Sequence, residues 1–439
     1  MEAQPEFIGE IAADKIFRRD STFARAGTNA IHCIVRDTVD FLAARSIQPI
    51  IGNNAVDHRD RTAENAGVTR ASHGRHIIVM RERHESAAIG QQNASPKPIG
   101  TYLMKSLPVI GLMLGDMTGI GPEISAKILA ARTFKPLARI AVIGDARVLE
   151  LGAKDARVDL KWKSYPDVDA IDWSRDEVPL VDLGNIDPAT IKRAEMSAVS
   201  GKLTGDTLKH MIDLALAGKL DGISFAPLNK GAMHKGGWKY HDEHQMFAAL
   251  TNHSGFFGEM NVIKEFATFR VTSHVALREA VNMITPERIT SAIELADATL
   301  RATGIAAPRI AVAALNPHSG ENGLFGDEEI RIIRPTVELA RTAGINCTGP
   351  VSSDVIFLKA LKGEYDGVVM MYHDQGQIAT KLLGFNKGVT VTAGLKTVFT
   401  TPAHGTAYDI VGQCKADTGA LEQALRIATK MAAAKRIAA

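Results

Sequence analysis

From Leu107 onward the chain alternates short apolar runs with amphipathic stretches, and this alternation sets what it can fold into. The apolar runs include PVIGLML (108–114), ARIAVIG (138–144), DGISFAP (221–227), ATFRVTS (267–273), PRIAVAALN (308–316) and YDGVVMMY (365–372). Between them lie segments whose apolar residues recur at helical spacing, among them Glu123–Arg132, Ser200–Leu216, Thr285–Thr303, Asp327–Arg341 and Gly419–Arg436. Apolar runs this short read as buried strands, and strands alternating with helices predict an α/β fold with a largely parallel sheet. The first 106 residues lack the pattern. One helix-like stretch, Ala30–Ile51, gives way to a long polar segment closed by Pro96 and Pro98, a composition that predicts an extension with little stable structure.

Charge follows the same division. The 439 residues carry 51 Lys+Arg against 49 Asp+Glu, a net charge of +2. Residues 1–106 hold 11 Arg and 3 Lys against 12 acids, so the whole surplus lies there and the remainder balances at 37 against 37. Such a balance predicts neither nucleic acid nor an anionic membrane as partner. No apolar run approaches the roughly 18 residues of a membrane span. The start, MEAQPEFIGE, lacks the apolar segment of a secretory signal. Cys33, Cys347 and Cys414 are too scattered for a disulfide framework or a cysteine zinc site. These features lead us to expect a cytoplasmic protein.

The polar residues that follow the strands carry the chemistry. His274 follows RVTS, His318 follows RIAVAALNP, His373 and Asp374 follow DGVVMMY, and Lys230 follows DGISFAPLN. Ligands of open α/β sheets bind beyond the carboxyl ends of the strands. Three imidazoles converging there suit a divalent metal with positions left open for substrate oxygens. The competing reading makes each histidine a loop or capping residue. Two glycine-containing turns stand out as well. GDMTGIGPEI (115–124) opens a helix with Pro122 and Glu123 but lacks the third glycine of a dinucleotide fingerprint, so a structural turn and a ligand loop are equally compatible with it. In TTPAHGTAYDIVGQ (400–413), Gly405, Thr406 and Ala407 admit close backbone approach, His404 offers a ring, and Asp409 offers an acceptor suited to ribose or adenine. The run 229–247, rich in His, Lys and Gly, reads as a substrate-capping loop, and a local metal cluster of His234, His241 and His244 is disfavoured for want of regular spacing.

Taken together, GDMTGIGPEI, APLNKGAMHKGG, LNPHSGENGLFGDEEI, GPVSSDVIF, MYHDQGQIATKLLGF and PAHGTAYDIVG resemble, in order, the motifs of the 4-hydroxythreonine-4-phosphate dehydrogenase family of pyridoxal phosphate biosynthesis. The resemblance covers about Leu107 to Arg436. It implies an isocitrate/isopropylmalate dehydrogenase-like fold, with a cofactor-side α/β domain (107–232 and 388–439) and a metal, substrate and dimerisation domain (233–387). It implies a homodimer whose interface shares a metal site made by His274, His318 and His373, with zinc, manganese, cobalt or magnesium as the ion. It places His244, Gln245, Lys381 and Thr390 at substrate positions and Asp354 and Asp374 beside the metal. It makes the 402–410 segment, with His404, Gly405, Thr406, Ala407 and Asp409, the adenine-nucleotide loop for NAD or NADP.

The chain also departs from the family pattern. Met117 and Thr118 replace a Pro-Ala pair, Gln245 replaces Thr, Thr390 replaces Asn, and Phe399 replaces an Arg. Phenylalanine cannot bind phosphate as a guanidinium fork does, so this exchange points to a substrate that lacks phosphate or is partly aromatic. The implied reaction is oxidation of a small hydroxy acid to a ketone, with decarboxylation where the carboxylate lies β to it. Asp354, Asp374 and Lys230 are the candidate acid–base groups. The family alternatives are a carboxylated aromatic cis-dihydrodiol and a four-carbon sugar-acid phosphate. A phosphate acyltransferase on the same fold would not need three strand-end histidines beside acids, and a non-catalytic metal- or ligand-binding protein is the third option, separated by metal content together with NAD reduction.

Overall fold

The computed structural model describes residues 107–384 and 387–438, so the expectation for the N-terminal extension lies outside the described residues. The chain opens with β1 (Val109–Met113), α1 (Gly121–Ala131), β2 (Arg139–Gly144), α2 (Ala146–Ala156), β3 (Trp162–Tyr165), β4 (Val178–Asp182), α3 (Ala198–Leu216) and β5 (Gly222–Phe225). Its middle part comprises α4 (Lys230–Lys235), α5 (Glu243–Leu250), β6 (Gly258–Val262), β7 (Ala267–Arg270), α6 (Leu277–Asn282), α7 (Pro286–Ala302) and β8 (Ile310–Ala313). It continues with α8 (Arg334–Thr342), β9 (Cys347–Val351), α9 (Ser353–Leu361), β10 (Gly367–Met370), α10 (His373–Gly384), β11 (Val389–Ala393), β12 (Val398–Pro402) and α11 (Gly419–Ala438).

All twelve strands among the described residues join one sheet, in the order β3-β4-β2-β1-β5-β12-β11-β6-β7-β10-β8-β9. The two flanks are parallel, and the centre is antiparallel where β11 meets β12 and β6, and where β6 meets β7. The α/β expectation therefore holds, with an antiparallel insert at the middle of the sheet. Every residue of β5, β7, β8, β10, β11 and β12 is buried, as strands covered on both faces must be. The helices start where short polar side chains satisfy free amides. Asp145, Ser197, Asn229 and Asp242 each accept from a first-turn N–H, and Pro122 and Pro286 sit where no N–H is needed.

Two sequence readings need correction. The expected helix over Asp327–Arg341 is a π-helical turn, Glu329–Ile333, followed by α8. Pro335 has no N–H for the carbonyl four residues back, and the preceding turn widens there. The stretch 229–247 is not a single loop but two helices joined by residues 236–242. Asn229 and Asp242 cap two helices, α4 and α5, whose apolar residues Ala232, Met233, Met246 and Phe247 are buried.

Candidate functional site

Asp242 begins the site, because its two oxygens do two jobs. Oδ1 accepts from the N–H of Gln245 (2.9 Å) and caps α5, while Oδ2 lies 2.7 Å from Nδ1 of His274. Burial pushes the Asp242 carboxyl up, but the bonds from His274 and Gln245, with the charges of His244 and His274, outweigh it and hold it far below its ordinary range. The same bond raises His274 against its own burial. His373 is held in the same way, with Nδ1 2.6 Å from Oδ1 of Asp374. The two rings lie 5.4 Å apart, centroid to centroid. Each Nδ1 is tied to a carboxylate, the arrangement in which a second layer fixes the tautomer and aim of a metal-binding histidine.

His318 does not join them. After β8 the backbone turns left-handed for six consecutive residues, with φ of 52° at His318, 56° at Ser319, 78° at Gly320, 41° at Glu321, 56° at Asn322 and 99° at Gly323. This turn carries His318 into solvent, its side chain 64% exposed. Among the described residues no set of three or more His, Cys, Asp or Glu within the chain is arranged to hold a metal ion. The convergence expected from strand ends is thus two-membered in one chain. The left-handed turn is pinned by buried Glu329, whose Oε1 accepts from the N–H groups of Leu315 (2.8 Å) and Asn316 (2.7 Å) and whose Oε2 accepts from the Asn316 amide (3.0 Å). Left-handed backbone at a non-glycine residue is strained, and it gathers where function needs a fixed aim. His274 (φ 37°) and Ala407 (φ 44°) share the trait. Exposed Glu321 contributes little packing, so Glu321→Gly is expected to raise stability by about 0.5–1 kcal/mol in chemical denaturation, through relief of strain.

The other expected residues fall on a sheet floor and its surroundings. His244, on α5, is buried, with Nδ1 bonded to Oγ1 of Thr392 (2.6 Å) and Nε2 3.8 Å from Oε2 of Glu259. Thr390 is buried on β11 and accepts from the Asn261 amide (3.1 Å). Lys381 lies on α10 with Gln377 and Thr380 beside a small cavity that Asn261, Gly388 and Ala403 also line. Gln245 is exposed, and so are Asp354, whose Oδ1 accepts from Ser352, and Asp374. Lys230, half-exposed at the start of α4, pairs with Glu243 at 2.7 Å. Burial lowers its pKa, but Glu243, with Glu259 and Asp242 behind it, raises it beyond the ordinary value. A raised pKa favours the ammonium form of Lys230.

Phe399 is not where an aromatic substrate wall would need it. It is buried in the core and stacked on Phe247, with centroids 4.1 Å apart and planes within 9°. The inference from Phe399 to a substrate without phosphate loses its structural footing. Its neighbours are more telling. Thr392 pairs with Glu259 on one side and with Phe399 on the other, and β7 sets Arg270 against Glu259. Glu259 and Arg270 were missed by the sequence reading, as were Asn261, Gln377, Asp242 and Glu329. Burial works against a charge on Glu259, but Arg270, His244 and Asn261 bring its pKa down to about 2. The available signal was a charged residue inside the apolar run ATFRVTS and the Glu-Met-Asn-Val alternation of β6.

The two glycine turns meet each other. Residues 110–126 are buried, so GDMTGIGPEI is a platform and not an open ligand loop. Asp116 Oδ1 accepts from Thr118 N–H (2.9 Å), Thr118 Oγ1 (2.8 Å) and Ser200 Oγ (2.5 Å). A Cβ on Gly119 would meet Thr406 at 2.7 Å, and Ile120 N–H donates to the Thr406 carbonyl (3.1 Å). Tyr408 OH ties the upper loop to Asn229 (3.0 Å) and Thr118 (3.3 Å). Above this platform Thr406 is buried, His404 and Ala407 are half-buried, and Gly405 and Asp409 are exposed. No atom lies within 4 Å of where a Cβ on Gly405 would stand, which leaves its backbone open to a ligand.

Among known proteins, a relative from Pseudomonas aeruginosa in the 4-hydroxythreonine-4-phosphate dehydrogenase group is 44% identical over 334 residues, covering 74% of this chain and 97% of its own. D-threonate 4-phosphate dehydrogenase from Cupriavidus necator is 40% identical over 328 residues, covering 74% and 98%. The crystal structure of 4-hydroxythreonine-4-phosphate dehydrogenase from Klebsiella pneumoniae superposes with a TM-score of 0.66 at 37% identity, covering 74% of this chain and 98% of that one. Residues 136–428 match the family described as Pyridoxal phosphate biosynthetic protein PdxA, and with that match and these relatives the chain belongs to the PdxA family.

Proposed function

We propose that the protein is a dehydrogenase that oxidises the CH–OH group of a small phosphorylated hydroxy acid, using a divalent metal and NAD or NADP, with loss of CO2 where the carboxylate lies β to the new ketone. The observation that carries this reading is the pair His274 and His373, each anchored through Nδ1 by a carboxylate with the rings 5.4 Å apart. Two such imidazoles fit zinc, manganese or cobalt better than magnesium. When bound, a divalent ion supplies Lewis acidity at the substrate hydroxyl, and the nicotinamide supplies the hydride acceptor.

The chain's own residues do the rest. Asp242 and Asp374 keep the two rings aimed. Lys381 and Thr390 bind the substrate, and His244 approaches it through Nε2. The hydroxyl proton goes to a carboxylate, Asp354 or Asp374. Lys230, kept protonated by Glu243, delivers a proton to the carbon that CO2 leaves. The open backbone at Gly405, with His404, Thr406, Ala407 and Asp409 around it, holds the nucleotide.

The third imidazole comes from a second copy. Exposed Leu277 lies three residues beyond His274, exposed Leu324 and Phe325 follow His318, and exposed Ile378 and Leu382 lie on α10 with His373, apolar side chains that a homodimer would cover. His318, on its pinned turn, then reaches the partner's His274 and His373.

An NAD- and NADP-coupled assay tests the function. D-threonate 4-phosphate and 4-hydroxythreonine 4-phosphate are compared with their unphosphorylated forms and with a cyclic dihydrodiol, each with added divalent metals. Turnover of a phosphorylated acid far above the others is expected, and a preference for the dihydrodiol would overturn the substrate class. Asp242→Asn is expected to weaken zinc binding by about 10–100-fold in chelator competition, because His274 loses its anchor.

A further inference from the structure

Arg270 is a charged residue whose side chain is 2% exposed, at the end of a fully buried strand. Such burial is tolerated because Glu259 neutralises it, with Nη1 donating to Oε2 at 2.8 Å. The guanidinium does more than pair. Nη1 also donates to Ser273 Oγ (3.2 Å), and Nη2 donates to Gln377 Oε1 (2.9 Å) and to Asn261 Oδ1. These partners lie on three segments: the β6 floor, the turn immediately before His274, and α10. On α10, His373, Gln377 and Lys381 follow one another at i, i+4 and i+8, so they share a helix face with Gln377 in the middle. Gln375 ties the first turn of that helix to the Met371 N–H, the Ala314 carbonyl and Ser353, while Gln377 ties its next turn to Arg270.

We propose that Arg270 is a positioning residue: one planar guanidinium sets the distance between the His274 turn and the face of α10 that bears His373 and Lys381. The inference rests on the reading of those residues as metal- and substrate-side groups. Lysine is no substitute, because a single ammonium on a flexible stem cannot span four acceptors in one plane.

The test uses the full-length protein and changes the far end of the tether. Gln377→Leu removes the acceptor on α10, Gln377→Glu keeps an oxygen there, and Arg270→Lys keeps the charge but not the fork. Zinc affinity of the metal-free protein is read by chelator competition, together with kcat, KM and Tm. Gln377→Leu is expected to lose about tenfold in zinc affinity, as second-layer changes do, and to lose kcat, at a Tm close to wild type. Gln377→Glu is expected to recover most of both, and Arg270→Lys to follow Gln377→Leu. Wild-type zinc affinity in Gln377→Leu, or no recovery in Gln377→Glu, overturns the proposal. A wild-type protein that binds no zinc and oxidises none of the acids removes the underlying reading instead, a result distinct from an active wild type that Gln377→Leu merely equals.

Discussion

His318→Ala is expected to lose metal-dependent turnover by more than the roughly 100-fold typical of removing a second-layer partner, because in the proposed site a ligand itself is removed. The side chain is 64% exposed, with Glu321 at 3.9 Å and the exposed Phe325 ring edge-on at 6.1 Å, so the fold should hardly notice. A stability change within about 0.5 kcal/mol is expected by denaturation. The companion variant His274→Ala should be equally inactive. If the two imidazoles serve one site from different subunits, co-expression of the inactive variants gives mixed dimers in which one of two sites is whole. Random pairing then restores roughly a quarter of wild-type activity. A co-expressed mixture that stays inactive would place all ligands within one chain and end the shared-site reading.

Arg270→Met should destabilise the protein by about 3–5 kcal/mol, since it strands the Glu259 carboxylate without its counter-ion. The double variant Arg270→Met/Glu259→Leu should recover most of that, because the loss comes from an unpaired buried charge and not from missing volume. The pH dependence gives an independent sign. In the native protein Glu259 has a pKa of about 2, below its ordinary value of 4.5, so its contribution is fully present above about pH 4.5 and is lost as pH falls toward 2. In Arg270→Met, burial raises the same carboxyl instead, and its protonation relieves the penalty. The deficit of the variant relative to wild type should therefore shrink on acidification, measured by urea denaturation between pH 7 and pH 4. A deficit that grows as pH falls would contradict the assignment.

The sequence showed the ends of the site better than its floor. His274, His318 and His373 were legible because each directly follows a strand, and the strand runs themselves were unmistakable. Which of them meet was not legible, because the direction of His318 depends on six left-handed residues that only tertiary pinning by Glu329 sustains. Phe399 shows the opposite limit. Alignment put it in place of a phosphate-binding residue, but its environment is set by Phe247, a contact between residues 152 positions apart. Glu259, Asn261 and Arg270 wrote a faint signal, alternating polar residues in strands that should be apolar throughout. Their partnership came from the antiparallel centre of the sheet, which strand–helix alternation did not foretell.

That centre also governs how the molecule is made. The strands that join the two flanks, β11 and β12, are the last of the twelve to be synthesised, yet β12 pairs with β5 and β11 with β6. On the ribosome, β5 is complete at Phe225 and waits for β12, which ends at Pro402. At ordinary elongation speeds that interval is roughly 10–35 s. Throughout it β5 presents an unpaired edge, and β6 does so from Val262 until β11 is made, in the middle of what will become a single sheet, the kind of edge that recruits foreign strands. A nascent chain interrupted before residue 402 holds two half-sheets and no keystone. The sheet is therefore completed late in translation, by the short stretch from Val389 to Pro402.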